Sequence, residues 1–304
     1  MRHIKDKTLV DNKMIYSSKK ELLEFLNIKE NFLYPDFSKK YYTKELKKKS
    51  GGIRLIKPPS VNLKKVQRLI LDKILYKHKN LECVYGLSKD KGVVANANFH
   101  KKNFDKQLVN LDIENFFTNV LKKEVNKVFK SLGFNKENSN ILTKICTVEG
   151  SLPQGAPTSP YLASLSCIKM DKEIYNYCRK QKFTYTRYFD DISISGMNIN
   201  DKNIVDIEKI VNKNKFNLNK TKTTFYEADL DKIINGVFIS KNGLSVTNKY
   251  KDEVKSLYIN YLKDPCVHNK KAYKGKLSFY LHINKKEAVD FINKISYLTG
   301  IGPV

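Results

Sequence analysis

The sequence is short of arginine, of acids and of long apolar runs. Only five arginines occur: Arg2, Arg54, Arg68, Arg179 and Arg187. Asp and Glu total 31 against 57 Lys and Arg, a formal charge of +26. No apolar run approaches the roughly 20 residues that a membrane-spanning helix needs. The opening residues, Met1-Arg2-His3-Ile4-Lys5-Asp6-Lys7, lead into no apolar stretch of the signal-peptide kind. The five cysteines (Cys83, Cys146, Cys167, Cys178, Cys266) are scattered, with no Cys-x-x-Cys pair. That pattern argues against a disulfide framework and against a Cys-based zinc site, and it fits a reducing cytoplasm. There is no internal repeat and no Gly/Ser-rich or Pro-rich linker.

What remains is a chain of 304 residues with 41% hydrophobic and 11% aromatic content. It is long enough to bury a real core, and global disorder is excluded. The charge imbalance points to a polyanionic partner, nucleic acid ahead of an anionic membrane surface. A second source competes: the chain is rich in Asn and Ile, as A/T-rich codons would make it, and such codons also supply lysine. They do not explain the shortage of acids.

The charge is unevenly placed. Residues 41–80 hold 12 basic and 2 acidic residues. Within them, Gly51-Gly52 reads as a hairpin turn and Pro58-Pro59 as the stop of the following strand. Apolar residues at helical spacing (Val66, Leu69, Ile70, Ile74) then predict a helix over 61–79, and 19–33 predicts a shorter one. Residues 107–113 read as a strand, 114–129 as a helix and 161–180 as a long helix behind a Pro-rich entry. Residues 183–188 and 192–195 read as a hairpin with Phe189-Asp190-Asp191 near its tip. Strands are expected at 223–226 and 233–239, and helices at 250–262, 270–284 and 287–298. Residues 241–304 carry a net +7.

Adjacent acids in a turn are usually just solvated. Here Asp112 and Asp190-Asp191 end strongly apolar strands, where unpaired charge is costly. If the strands are neighbours, three carboxylates converge and repel one another unless a cation sits between them. Hard oxygen ligands left partly open suit Mg²⁺, with Mn²⁺ as a substitute. Two such ions about 4 Å apart are the usual device for in-line phosphoryl transfer.

Tyr188-Phe189-Asp190-Asp191 resembles the Tyr-x-Asp-Asp box of reverse transcriptases. Leu111-Asp112-Ile113-Glu114-Asn115-Phe116-Phe117 resembles their first palm motif. Leu152-Pro153-Gln154-Gly155-Ala156-Pro157-Thr158-Ser159-Pro160 resembles the motif between the two. The order is right, and the likeness extends over roughly residues 40–240, from the Gly51–Pro59 hairpin to Asn219-Lys220-Thr221-Lys222-Thr223. Phe189 departs from the pattern, since bacterial relatives usually carry Ala there. The resemblance implies an α+β, right-hand polymerase fold. Its parts would be an N-terminal helical extension (1–40), fingers (41–106), palm (107–240) and a helical thumb (241–304). It implies that Asp112, Asp190 and Asp191 hold two Mg²⁺ ions. It further implies that Arg54, Ile113, Phe117, Gln154 and Lys222 contact the dNTP, with Lys48 or Lys49 as a further cation. Phe117 stands where the family places an aromatic gate against a ribose 2′-OH; an ordinary core phenylalanine is the alternative.

Asn96-Ala97-Asn98-Phe99-His100 resembles the Asn-Ala-x-x-His signature of retron reverse transcriptases, whereas their Val-Thr-Gly signature survives only as Ile234-Asn235-Gly236. About 110 residues follow the catalytic box, without a Cys/His nuclease pattern and with little room for RNase H. The retron likeness implies a cognate structured noncoding RNA as partner, priming from an RNA 2′-OH, and a branched RNA–DNA product. It also implies antiphage defence with a separate effector protein. Asn96, His100, Lys251, Tyr273 and Lys274 are the expected RNA contacts. For each thumb tyrosine, stacking on a base and packing in a bundle core are both open. Two rival functions remain: another small bacterial reverse transcriptase, of abortive-infection or intron origin, and a silent RNA-binding scaffold.

Overall fold

A computed structural model describes residues 18–34, 36–47, 51–88 and 90–299. Lys48, Lys49 and the first 17 residues of the expected N-terminal extension lie outside the described residues. The chain divides into two compact units that interleave in sequence. The first comprises Met1–Leu87, Ile113–Tyr177 and Val205–Asn219; the second comprises Ser88–Asp112, Cys178–Ile204 and Lys220–Val304. The boundary therefore falls between Asp112 and Ile113, inside the first palm motif.

In the first unit, α1 (Lys19–Phe25) is capped by Ser18 and stops early, because Asn27 turns left-handed at φ 54°. A separate 3₁₀ turn (Glu30–Leu33) completes the stretch that periodicity reads as one helix. Strands β1 (Lys44–Lys47) and β2 (Ile53–Ile56) pair antiparallel, as the Gly51-Gly52 turn requires. Helix α2 (Val61–Lys73) buries Leu63, Val66, Ile70 and Leu71 and leaves Lys64, Lys65 and Arg68 exposed. β3 (Val84–Tyr85) closes the segment.

The second unit begins with α3 (Val93–Lys101) and β4 (Gln107–Asp112). The chain then returns to the first unit, where the helix expected over 114–129 is broken. Asn115 adopts φ 46° and Val120 is extended, which leaves α4 (Phe116–Asn119) and α5 (Lys122–Ser131). Helix α6 (Lys136–Cys146) follows. The long helix expected over 161–180 is likewise two: α7 (Ser159–Ser166), with Pro160 in its first turn, and α8 (Ile168–Lys180).

Gly155 shows why the Leu152–Pro160 loop has its sequence. Its φ is +116°, and a Cβ there would stand 3.3 Å from the Pro58 nitrogen. Gln154 accepts a hydrogen bond from the Lys57 backbone N–H at 2.7 Å, and Lys57 pairs with Glu149. The loop and the end of β2 are thus laced together through backbone, which only glycine permits. Gly155→Ala is expected to cost about 1–3 kcal/mol of stability from strain and crowding, read as a lowered Tm. An unchanged Tm would show that the loop yields freely.

In the second unit β5 (Thr184–Tyr188), β6 (Asp191–Gly196), β4 and β7 (Thr224–Tyr226) lie side by side in that order, all antiparallel. Register pairs Asp112 with Asp191, Asn110 with Ser193 and Leu108 with Ser195. Because side chains alternate along a strand, Asp112, Asn110, Asp191, Ser193, Ser195, Thr186 and Tyr188 share one face. Val109, Leu111, Ile192, Ile194 and Tyr185 share the other, and all five are buried. α9 (Asp201–Lys213) runs across the boundary between Ile204 and Val205, as α8 runs across that between Tyr177 and Cys178.

The stretch expected as one strand over 233–239 is a hairpin: β8 (Lys232–Ile234) and β9 (Val237–Ser240), with Asn235-Gly236 as its turn. β10 (Gly243–Val246) completes this smaller sheet. Ala97 of α3 packs with Leu108, Ile234, Val237 and Ile239 in one buried cluster. The C-terminal helices match expectation: α10 (Asn248–Lys263), α11 (Val267–Ile283) and α12 (Lys285–Thr299). Their cores are Val254, Tyr258, Tyr261, Tyr273 and Ile295, and Val246, Tyr280 and Ala288. Among the described residues no helix is long and apolar enough to cross a membrane.

Candidate active site

The polar face of the β4–β6 pair opens into a cleft of about 240 Å³, lined among others by Asn110, Asp112, Asp191, Ser193, Lys222 and Asn235. Cross-strand register sets Asp112 opposite Asp191, and Asp190 stands in the adjoining turn. Burial first, then repulsion from Asp190 and Asp112, pushes the Asp191 carboxyl up to about 6. Two groups act the other way: a hydrogen bond from Asn235 and the charge of Lys222. Lys222 Nζ reaches both Asp112 oxygens, at 2.9 and 2.8 Å, and so supplies their counter-charge.

This is a charge-frustrated oxygen cluster, and it fits a hard divalent cation. Among the described residues no ready-made cage of three or more acidic, His or Cys ligands exists. Lys222 engages Asp112 and Asn235 engages Asp191. An open site of this kind suits a metal that keeps waters and takes substrate phosphates as ligands.

The hairpin tip carries strain. Phe189 has φ 54° in a two-residue turn between β5 and β6, a conformation that glycine adopts more readily. The fully buried Arg187 donates to the Phe189 carbonyl at 2.8 Å, and the Tyr188 and Phe189 rings meet edge-on at 4.8 Å. A guanidinium thus holds the backbone that carries Asp190 and Asp191.

Helix α3 covers the other end of the polar face. His100 is 2% exposed and bonds the Ser195 and Thr186 hydroxyls, both at 2.8 Å. Burial pushes its imidazole down to about 3, so it stays neutral. Asn96 is fully buried and donates to Asn235. The expectation that Asn96 and His100 touch RNA is therefore corrected: both face inward, His100 against β5 and β6 and Asn96 against the Asn235 side chain.

Tyr273 needs the same correction. It is 7% exposed and its ring packs on Tyr258 and Tyr261, at 4.8 and 5.9 Å between centroids, so it belongs to the bundle core. Lys251 is tied to Glu287 at 2.6 Å, whereas Lys274 is exposed. The other substrate candidates lie in the first unit. Arg54 is exposed on β2, beside Leu46 by register. Ile113 is buried and bridges to Leu218. Phe116 is the core ring against Phe216, while its neighbour Phe117 is half-buried and meets Phe116 edge-on at 5.4 Å.

Asn110, Ser193, Asn235 and Arg187 emerge only in the structure. Ser193 donates to Asn110 Oδ1 at 2.9 Å, and Asn110 donates to the Ile233 carbonyl at 2.7 Å. One signal in the sequence could have found the first two: polar residues at every second position of otherwise apolar strands.

Residues 46–263 match the family model described as reverse transcriptase (RNA-dependent DNA polymerase). The retron Ec86 reverse transcriptase of Escherichia coli is 32% identical over 279 residues, covering 88% of this chain and 85% of that protein. The chain belongs to the retron reverse transcriptases. It is an RNA-directed DNA polymerase, and its family depends on divalent metal. The retron Se72 reverse transcriptase of Salmonella heidelberg is 31% identical over 171 residues, which cover 53% of this chain and 42% of that one. Among solved structures, apo telomerase from Candida tropicalis superposes with a TM-score of 0.53 at 12% identity, covering 88% of this chain and 58% of that chain. Telomerase of Candida albicans with a fragment of telomeric RNA gives 0.51 at 12% identity, with the same coverage of 88% and 58%. These likenesses support the right-hand polymerase fold.

Proposed function

We propose that this retron reverse transcriptase copies part of a cognate structured noncoding RNA into DNA, primed from an RNA 2′-OH and leaving a branched RNA–DNA product. The reading places it in the cytoplasm, in antiphage defence with a separate effector protein. The observation that carries the chemistry is the cross-strand pairing of Asp112 with Asp191 in a cleft that also holds Lys222. The retron step rests on the similarity to the Ec86 enzyme along most of both chains.

In this reading Asp112, Asp190 and Asp191 hold two Mg²⁺ ions. Bound there, the metal would lower the pKa of the primer hydroxyl and stabilise the pyrophosphate leaving group. Lys222, 55% exposed at its side chain, turns its charge from Asp112 to the substrate phosphates in this reading. Arg54 clamps triphosphate oxygens, while Ile113 and Gln154 border the nucleotide. Residues 41–106, 107–240 and 241–304 act as fingers, palm and thumb, with Lys274 on phosphates.

Phe117 is the sugar gate. Phe117→Ala is expected to raise ribonucleotide incorporation about 10- to 100-fold relative to dNTP, measured by primer extension. Unchanged selectivity would return Phe117 to the core. For the reading as a whole, the native locus is expressed and its DNA examined. Branched DNA that shortens on RNase or debranching treatment is expected; its absence, together with no extension of an RNA-templated primer, would reject the reading.

A further inference from the structure

The hairpin turn at Asn235-Gly236 has positive φ at both residues, 48° and 80°. That is a type I′ turn, for which Asn-Gly is the preferred pair. Turn formation alone would account for Asn235 if its side chain were idle. It is not idle. Asn235 Nδ2 donates to Asp191 Oδ2 at 2.8 Å, and Asn235 Oδ1 accepts from Asn96 Nδ2 at 2.7 Å. An ionised carboxylate only accepts, and the Asn96 amide nitrogen only donates, so one orientation of the Asn235 amide satisfies both.

Asn96 is costly to keep. It is fully buried on α3, and its Oδ1 has no hydrogen-bond partner among the described residues. An unpaired buried acceptor is a standing penalty of about 1–3 kcal/mol. Folding alone would favour an apolar side chain of the same size there. The bond it makes ends on Asn235, which in turn donates to the Asp191 carboxylate, and that gives the polar residue a use outside stability.

We infer that Asn96 and Asn235 form a positioning relay through which helix α3 fixes the carboxylate plane of Asp191 for metal binding. The inference rests on Asp191 being a metal ligand. Neither asparagine touches substrate; Asn235 acts through Asp191, and Asn96 acts through Asn235. Groups that orient a metal ligand from behind typically change metal affinity or activity 10- to 100-fold when removed.

Two variants of the full chain separate this from a structural role. Asn235→Gly keeps the turn, because glycine accepts both positive φ values, and removes the amide. Asn96→Leu keeps the volume and removes the donor. Mn²⁺ binding to each free protein is followed by electron paramagnetic resonance, alongside Tm and steady-state dNTP kinetics. Expected are about 10- to 100-fold weaker Mn²⁺ binding in both variants, a lowered kcat, and a KM for dNTP within about twofold of wild type. The Tm of Asn96→Leu is expected to be no lower than wild type. Wild-type Mn²⁺ affinity in Asn235→Gly would overturn the relay. So would activity that falls only in step with Tm in both variants. A wild-type protein that makes no DNA would reject the polymerase reading, while the Mn²⁺ comparison would still decide the relay.

Discussion

Asp112→Asn and Asp190→Asn should each lower RNA-templated DNA synthesis by about a thousandfold or more, since in the proposed site each removes an anionic oxygen that would hold a metal ion. Asparagine keeps the shape of aspartate, so the β4–β6 register that sets Asp112 against Asp191 should survive. What is lost is anionic oxygen. The substitution at Asp112 also frees Lys222, whose Nζ bonds both carboxylate oxygens. RNA affinity should stay within about twofold, because RNA contact is proposed for lysines rather than for these carboxylates, and such contact depends on salt through released counterions. Primer extension and a salt-titrated binding assay, run on the same preparations, measure the two effects. Near-wild-type synthesis in either variant would remove that residue from the metal site.

The second large effect is on stability, and its sign is opposite to what loss of a site carboxylate suggests. Asp191 is held at about 6 in the folded chain, above the ordinary aspartate value. The folded state therefore binds a proton more tightly than the unfolded state does. Stability from this group rises as pH falls through 6 and levels off below the unfolded value near 4. Above pH 6 the penalty is fully present. It is at most about 3 kcal/mol, and water in the cleft reduces it. Asp191→Asn should thus raise Tm at pH 8, leave it unchanged near pH 4, and abolish DNA synthesis. Mg²⁺ should raise the wild-type Tm at pH 8 and much less at pH 5, since a cation and a proton relieve the same repulsion. A Tm that drops in Asp191→Asn at pH 8 would show that the carboxylate is held by favourable contacts instead.

Much of the site is legible in the sequence because its chemistry lies in short contiguous motifs. Asp112 ends a strand whose apolar run announces it. Asp190 and Asp191 lie between two β-rich runs, and the Leu152–Pro160 loop is distinctive as a string. Helix ends are less legible. Asn27 ends α1 by turning left-handed and Asn115 does so just ahead of α4, and hydrophobic periodicity carries no sign of either turn. The 232–240 hairpin is hidden for another reason: its strands are three and four residues long, too short to show alternation around Asn235-Gly236.

Residue types, their order and the excess of lysine were enough to determine the family and the reaction, and to point to three carboxylates as the site. Only the tertiary structure decided which polar residues serve the site. Tyr273 and His100 look like nucleic-acid contacts in a basic chain, yet both are buried. Asn235 falls in a stretch that reads as a single strand, yet it bonds Asp191, 44 positions earlier, and Asn96, 139 positions earlier. The physical reason is one of range. Local sequence fixes the alternation of a strand and the cap of a helix. Which buried donor meets which acceptor depends on register and packing between segments far apart in the chain, where no local pattern records the pairing.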